Sequence, residues 1–149
     1  MSEAPDSPPV IQRECHLSHA PEAVYAAFAD PARLALWWGP RGFRNTFHFF
    51  DFQPGGDWRF TMHGPDGTDY ANHNRFEELE PGRRVVIRHV GAPHFTLTVT
   101  LDPVAGGTRL GWLARFDDAQ VLAAVRSFAE PGAEQNLERL AAHLDGTLR

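Results

Sequence analysis

The sequence predicts an α+β domain in which an antiparallel meander of strands meets a long C-terminal helix. Three observations carry this prediction. From Phe43 to Phe116 the chain alternates apolar and polar residues and is cut at short intervals by Gly- and Pro-containing turns. Two short segments opened by proline precede that region, and each has the apolar spacing of a helix. From Pro131 to Leu148, apolar residues recur on one helical face. The length of 149 residues fits one domain, residues 10–149, behind a polar, Pro-rich arm at 1–9 expected to be disordered.

Val10 to Leu17 reads as the first strand. In Ala20–Phe28, Pro21 suits the first helical position, Glu22 follows it, and Val24, Ala27 and Phe28 share a face. Asp30 caps a second short helix with Pro31 at its first position, and Gly39-Pro40 ends it. Six strands follow, at 43–53, 57–64, 68–79, 83–90, 94–102 and 107–116. The intervening turns are short, so an antiparallel meander is the economical topology. Asp117 to Ala129 predicts a weaker helix, and Pro131 to Leu148 the strong one. In the latter, Ala133, Leu137, Leu140, Ala141, Leu144 and Leu148 share a face, with Glu134 and Glu138 early and Arg139 and His143 late, as the helix dipole favours.

Side chains alternate across a sheet, so the inward set follows from register. Phe95, Leu97, Val99 and Leu101 point inward and oppose Phe116, Ala114, Trp112 and Leu110. Trp58, Phe60 and Met62 form the apolar face of their strand. A three-residue Pro54-Gly55-Gly56 loop would turn His48, Phe50 and Phe52 inward, leaving Phe47 and Phe49 outside. A three-residue Pro65-Asp66-Gly67 loop turns Tyr70, Asn72, Asn74, Phe76 and Glu78 inward, and a two-residue Pro81-Gly82 turn does the same for Val85, Ile87 and His89. Four polar side chains thus interrupt an apolar face: His48, Asn72, Asn74 and His89. Each would cost about 1–3 kcal/mol if buried unpaired. A wet or ligand-filled cavity accommodates them, as does mutual hydrogen bonding near the sheet ends.

Composition excludes several classes. Net charge is −5, with 14 Lys and Arg against 19 Asp and Glu, which opposes a broad nucleic-acid surface. A single cysteine, Cys15, excludes an internal disulfide framework and a cysteine-based zinc site. No apolar run reaches membrane-spanning length, and Met1 to Pro9 lacks the pattern of a signal peptide, so a cytoplasmic setting is expected. No phosphate loop, dinucleotide fingerprint, serine nucleophile elbow or metalloprotease motif occurs, and no cofactor or metal is expected. His16 and His19, at a strand end, read as surface groups, as do His63, His94 and His143. Cys15 reads as a small buried side chain. Glu78 reads as a structural acceptor for turn amides in preference to a general base. The outward aromatics Phe47 and Phe49 suggest a homodimer through that strand.

Several pieces carry a resemblance: Ala20-Pro21-Glu22-Ala23-Val24-Tyr25, Trp37-Trp38-Gly39-Pro40, Pro54-Gly55-Gly56-Asp57-Trp58-Arg59-Phe60, Gly64-Pro65-Asp66-Gly67 and Gly107-Thr108-Arg109-Leu110. In this order, over about residues 10 to 148, the chain resembles the homologues of the activator of heat-shock protein 90 ATPase. These belong to the SRPBCC superfamily, also called START-like or Bet-v-1-like. The resemblance implies a helix-grip fold: a curved antiparallel sheet wrapped around a long C-terminal helix, two short helices after the first strand, and a cavity between sheet and helix. Three positions depart from the family pattern. Gly132-Ala133 stands where Gly-Trp is frequent, His89 where Trp is frequent and Asn74 where Gly is frequent. The cavity is therefore expected to be roomier and more polar than is usual.

The expected lining comprises Trp38, His48, Phe50, Trp58, Phe60, Met62, Asn72, Asn74, Phe76, His89, Leu97 and Trp112 with Leu137, Leu140 and Ala141 of the helix. Three functions are left open. The first is binding of a small hydrophobic or amphipathic molecule without turnover. The second is a cyclase- or hydrolase-like enzyme using His48 or His89 for proton transfer, which rests on analogy. The third is a co-chaperone-like partner, suggested by the family name alone.

Overall fold

Seven antiparallel strands form one sheet in the order β1-β7-β6-β5-β4-β3-β2. A computed structural model describes residues 8–148. Most of the expected N-terminal arm, residues 1–7, lies outside the described residues. The strands are β1 (Val10–Leu17), β2 (Arg44–Phe50), β3 (Asp57–His63), β4 (Asp69–Glu80), β5 (Arg84–His89), β6 (Phe95–Val104) and β7 (Gly107–Phe116). Helices α1 (Pro21–Ala29) and α2 (Pro31–Trp37) follow β1, and α3 (Ala119–Asp145) closes the chain. This is the expected α+β helix-grip architecture.

The helix starts follow the residues that predict them. Pro21 and Pro31 occupy first turns, where a missing N–H costs nothing. The Asp30 carboxylate accepts from Ala32 N at 3.0 Å and caps α2. Asp118 caps α3 in the same way, through Gln120 N at 2.7 Å. Gly146, with φ 76°, ends it in the left-handed region. Pro131 does not open a helix. It lies inside one continuous α3, which corrects the expected division at residues 129–131. A proline removes one N–H from a helix and crowds one carbonyl, and the packing of α3 on β1, β7 and α2 offsets that cost here.

The core lies between the inner face of the sheet and the three helices. Trp37, Trp58, Phe28, Phe60, Phe76, Leu101, Leu110 and Leu140 are among its largest fully buried members. The β6–β7 register has the expected pairs 95–116, 97–114, 99–112 and 101–110. The β3–β4 register likewise pairs 58–74, 60–72 and 62–70.

Two strands depart from the expected register, each through a bulge. Between β2 and β3 the loop is longer than three residues, and Phe50 pairs with Trp58. A bulge between Phe47 and Phe49 then places Phe47 opposite Phe60. Phe47 is consequently inward, stacked among Phe50, Trp58 and Phe60. His48 is turned outward, where its Nε2 lies 2.8 Å from Thr61 Oγ1. Both outcomes reverse the expectation. Only Phe49 of the proposed dimer pair is exposed, at 51%.

Between β4 and β5 the turn is one residue longer than expected and a bulge lies between Phe76 and Glu78. These two changes cancel beyond the bulge, so Phe76 meets Ile87 and Asn74 meets His89 as expected. Within it, Leu79 takes the inward position and Glu78 faces solvent, 3.8 Å from Arg84. Glu78 is thus neither an inward carboxylate nor an acceptor for turn amides.

Candidate functional site

The end of α2 is where the site begins. A helix leaves its last four carbonyls without intrahelical partners. Trp38 N returns to Leu34 O at 3.0 Å, and side chains take the others. Asn45 of β2 donates to Ala35 O at 3.1 Å and Trp38 O at 2.9 Å. Asn136 of α3 donates to Trp37 O at 3.0 Å. Arg139, one turn later on α3, spreads its guanidinium over Leu36 O (2.9 Å) and over Trp38 O, Gly39 O, Pro40 O and Phe43 O (each 3.0 Å). Burial pushes the Arg139 pKa down, yet its hydrogen bonds go to carbonyl dipoles rather than to a carboxylate. Gly39 suits this path because its φ is +98°, a conformation that residues with a side chain rarely adopt. The segment Trp38-Gly39-Pro40 is held as one wall of a cavity.

That cavity, about 330 Å³, lies between the sheet and the N-terminal half of α3. It is at the lower end of the range typical of small-molecule sites, roughly 300–1,000 Å³. Strands supply Phe60, Met62, Ile87, Leu97, Trp112 and Phe116, while α3 supplies Val125, Phe128, Ala129, Gly132 and Ala133. Phe128 is 68% exposed although it lines the cavity, so it stands at the rim. Among the described residues no Asp, Glu, Lys or Arg side chain borders the space.

A polar corner interrupts this lining. Asn72 and Asn74 are two residues apart on β4, hence on one face, and His89 of β5 is directly opposite Asn74. His89 stacks on Phe95 with ring centroids 4.8 Å apart. Its Nδ1 is 2.8 Å from Pro93 O and its Nε2 is 3.1 Å from Asn72 Oδ1. Burial is the main cause holding the His89 pKa below its ordinary value, so the ring is neutral at pH 7. Asn72 also donates to Tyr70 O at 3.1 Å. Asn74 is 2% exposed, and its Oδ1 has no hydrogen-bond partner. Trp58 Nε1 and Asn45 Oδ1 are likewise buried without partners.

Of the residues expected to line the space, Trp38, Phe60, Met62, Asn72, Asn74, His89, Leu97 and Trp112 do so. Phe50, Trp58 and Phe76 instead pack on one another in an aromatic cluster beneath it, and Leu137, Leu140 and Ala141 pack in the core further along α3. His48 is outside, removed by the bulge. Reasoning from sequence missed Asn136 and Arg139, whose partners are backbone carbonyls about a hundred residues away. The unusual run Trp-Trp-Gly-Pro, which strands several carbonyls, was the one available signal for them.

Four other histidines are engaged away from the cavity, His143 by accepting from Arg33 Nε at 3.1 Å. His19 meets Asp145 at 2.7 Å, His63 meets Asp69 and His73 meets Asp57, both at 2.8 Å. Cys15 is half-buried, and burial raises its thiol pKa. Among the described residues no three His, Cys, Asp or Glu side chains gather in a metal-binding group. No helix among them is long and apolar enough to cross a membrane.

The helix-grip sheet, the long helix and the apolar space between them define a domain of the SRPBCC type. Residues 18–145 match the family described as Activator of Hsp90 ATPase homolog 1-like protein, and the chain belongs to that family. Among solved structures, protein CV1439 from Chromobacterium violaceum is 31% identical, with a TM-score of 0.81 over 91% of this chain and 96% of that one. A protein from Rhodobacter sphaeroides is 27% identical, with a TM-score of 0.82 over 96% of each chain. A solution structure from Arthrobacter aurescens shares the fold at 23% identity, with a TM-score of 0.86 over 93% of this chain and 87% of that one. No curated protein matches the chain.

Proposed function

We propose that this protein binds a small, largely apolar molecule in the cavity between its sheet and α3, without chemical turnover. The observation that carries the reading is an apolar space of about 330 Å³ with a few polar groups gathered at one corner. That is the composition of a small-molecule site. The contact residues are the aromatic walls Trp38, Phe60, Phe95 and Trp112 with the corner Asn72, Asn74 and His89. Among the described residues the sole titratable side chain on the lining is His89, and its Nδ1 is engaged by Pro93 O. A single neutral imidazole with no carboxylate beside it favours binding over acid–base catalysis.

The test uses naphthalene as probe and calorimetry as readout. Position 133 borders the cavity from α3, so Ala133→Trp would place an indole inside it. Wild-type protein is expected to bind naphthalene saturably at one site, and Ala133→Trp to bind it at least tenfold more weakly. Equal affinity in a folded Ala133→Trp variant, or no binding to wild type, would refute the reading.

A further inference from the structure

We propose that a second site, a basic groove between α2, the start of β2 and the last turns of α3, binds an anionic amphiphile: a single anionic head on a short alkyl tail. The groove is independent of the cavity reading above, since no residue lines both spaces.

The groove measures about 740 Å³. Four of its side chains are basic: Arg41, Arg44, Arg139 and His143. Among the described residues no Asp or Glu lines it. The chain as a whole carries a net charge of −5, so this local sign is opposite to that of the molecule.

The charge in the groove is only partly balanced. Arg41 has a counter-ion in Glu138, 3.0 Å away and not on the lining. Arg139 has none. Its bonds go to main-chain carbonyls, which are dipoles and leave the net charge in place. Burial lowers its pKa, and no carboxylate acts against that. Arg44, exposed at the start of β2, forms no ion pair among the described residues. His143 accepts from Arg33 Nε at 3.1 Å, so its neutral ring carries the proton on Nδ1, one more donor. Helix C-termini themselves attract cations, and both α2 and α3 end here. Their carbonyls are already met: at α2 by Arg139, Asn45 and Asn136, and at α3 by Gly146 N and Thr147 N. The Arg44 guanidinium is therefore left for an external anion, which it can take through two parallel N–H bonds.

The tail follows from the rest of the lining. Leu36, which is 58% exposed, and Phe43 border the same space. An alkyl chain laid against them removes apolar surface from water. A bare inorganic anion would leave that surface wet, and an alcohol would leave the guanidinium charge unanswered.

Four probes separate head from tail: octanoate, acetate, octanol and octylammonium. Each is titrated by calorimetry into the wild type, Arg44→Gln and Ala133→Trp, the last with an indole placed in the cavity. Octanoate is expected to bind the wild type at one site, about tenfold more tightly than octanol or acetate, with octylammonium weakest. Ala133→Trp should keep that affinity, and Arg44→Gln should lose about fivefold or more of it while octanol is unchanged. In the wild type, octanoate should shift the His143 ring resonances and leave the Trp112 indole resonance in place, a readout that needs no variant. Loss of octanoate binding in a folded Ala133→Trp, or a shift at Trp112 without one at His143, would assign the anion to the cavity and overturn the groove. Octanol or octylammonium binding as tightly as octanoate would overturn the anionic head, and acetate doing so the tail. Unchanged octanoate affinity in Arg44→Gln, or no octanoate binding to wild type, would overturn the site and leave the cavity reading, which is tested with naphthalene, untouched.

Discussion

Replacing Arg139 with Leu should destabilise the domain and loosen its cavity together. The wild-type guanidinium reaches five carbonyls at 2.9–3.0 Å from two terminal nitrogens. Nη1 has two protons for three carbonyls, so the contacts do not count as five full bonds. Taking one effective charged hydrogen bond per terminal nitrogen, at about 1.5–3 kcal/mol each, gives roughly 3–6 kcal/mol. The group is only half-buried, and some of the released carbonyls regain water, so the lower end applies, ~3 kcal/mol. For a chain of this size that lowers Tm by about 6–12 °C. The assay is urea unfolding followed by far-UV circular dichroism, with naphthalene titrated in parallel. Because Trp38, Gly39 and Pro40 border the cavity, affinity should fall with stability. Arg139→Lys should recover a minor share, since an ammonium cannot span the carbonyls. A loss below about 1 kcal/mol in Arg139→Leu, with unchanged binding, would refute the clamp.

Further predictions concern pH and the core. The His89 pKa is held below its ordinary value, chiefly by burial, so the unfolded chain binds that proton more readily. Its contribution to stability is therefore complete above about pH 6.5 and is lost as pH falls from there through the folded-state value. His143, lowered by burial and by Arg33, acts with the same sign. Unfolding curves between about pH 7.5 and 5 should fall less steeply for His89→Phe than for wild type, and parallel curves would contradict this. The Asp117 carboxyl is held below the usual range by its two hydrogen bonds from Arg88, at 2.8 and 2.6 Å. Its contribution is present above about pH 4 and lost as pH falls through the lowered value, so Asp117→Asn should flatten the acid limb of the stability curve. Trp58 is fully buried with an unpartnered Nε1, so Trp58→Phe discards an unsatisfied donor along with some contact area. It should cost under about 1.5 kcal/mol, against ~3–5 kcal/mol for Trp58→Ala, with denaturant midpoints as the measure.

How far the sequence reveals this molecule depends on whether each segment has one self-consistent pattern. In β6 the strict alternation Phe95-Thr96-Leu97-Thr98-Val99-Thr100-Leu101 admits one inward set, and β7 supplies its complement, so that register could be read directly. In β2 the run Phe47-His48-Phe49-Phe50 has phenylalanine in both phases, and alternation cannot say where a bulge falls. A single inserted residue put His48 outside and Phe47 inside. At Glu78 a longer turn and a bulge cancelled, so only the residues between them were misplaced. The polar corner was legible because Asn72, Asn74 and His89 lie on strands whose register held. Arg139 was not, because its partners are main-chain carbonyls of a remote loop and leave no side-chain signature. The continuity of α3 through Pro131 reflects tertiary packing overriding local propensity.

The most direct test of the central claim is a crystal structure of the protein grown with naphthalene. The account predicts ring-shaped density between the sheet and α3, against Trp112 and Ala133. An interior closed by side chains, with the naphthalene absent or bound on the outer face of the sheet, would contradict it.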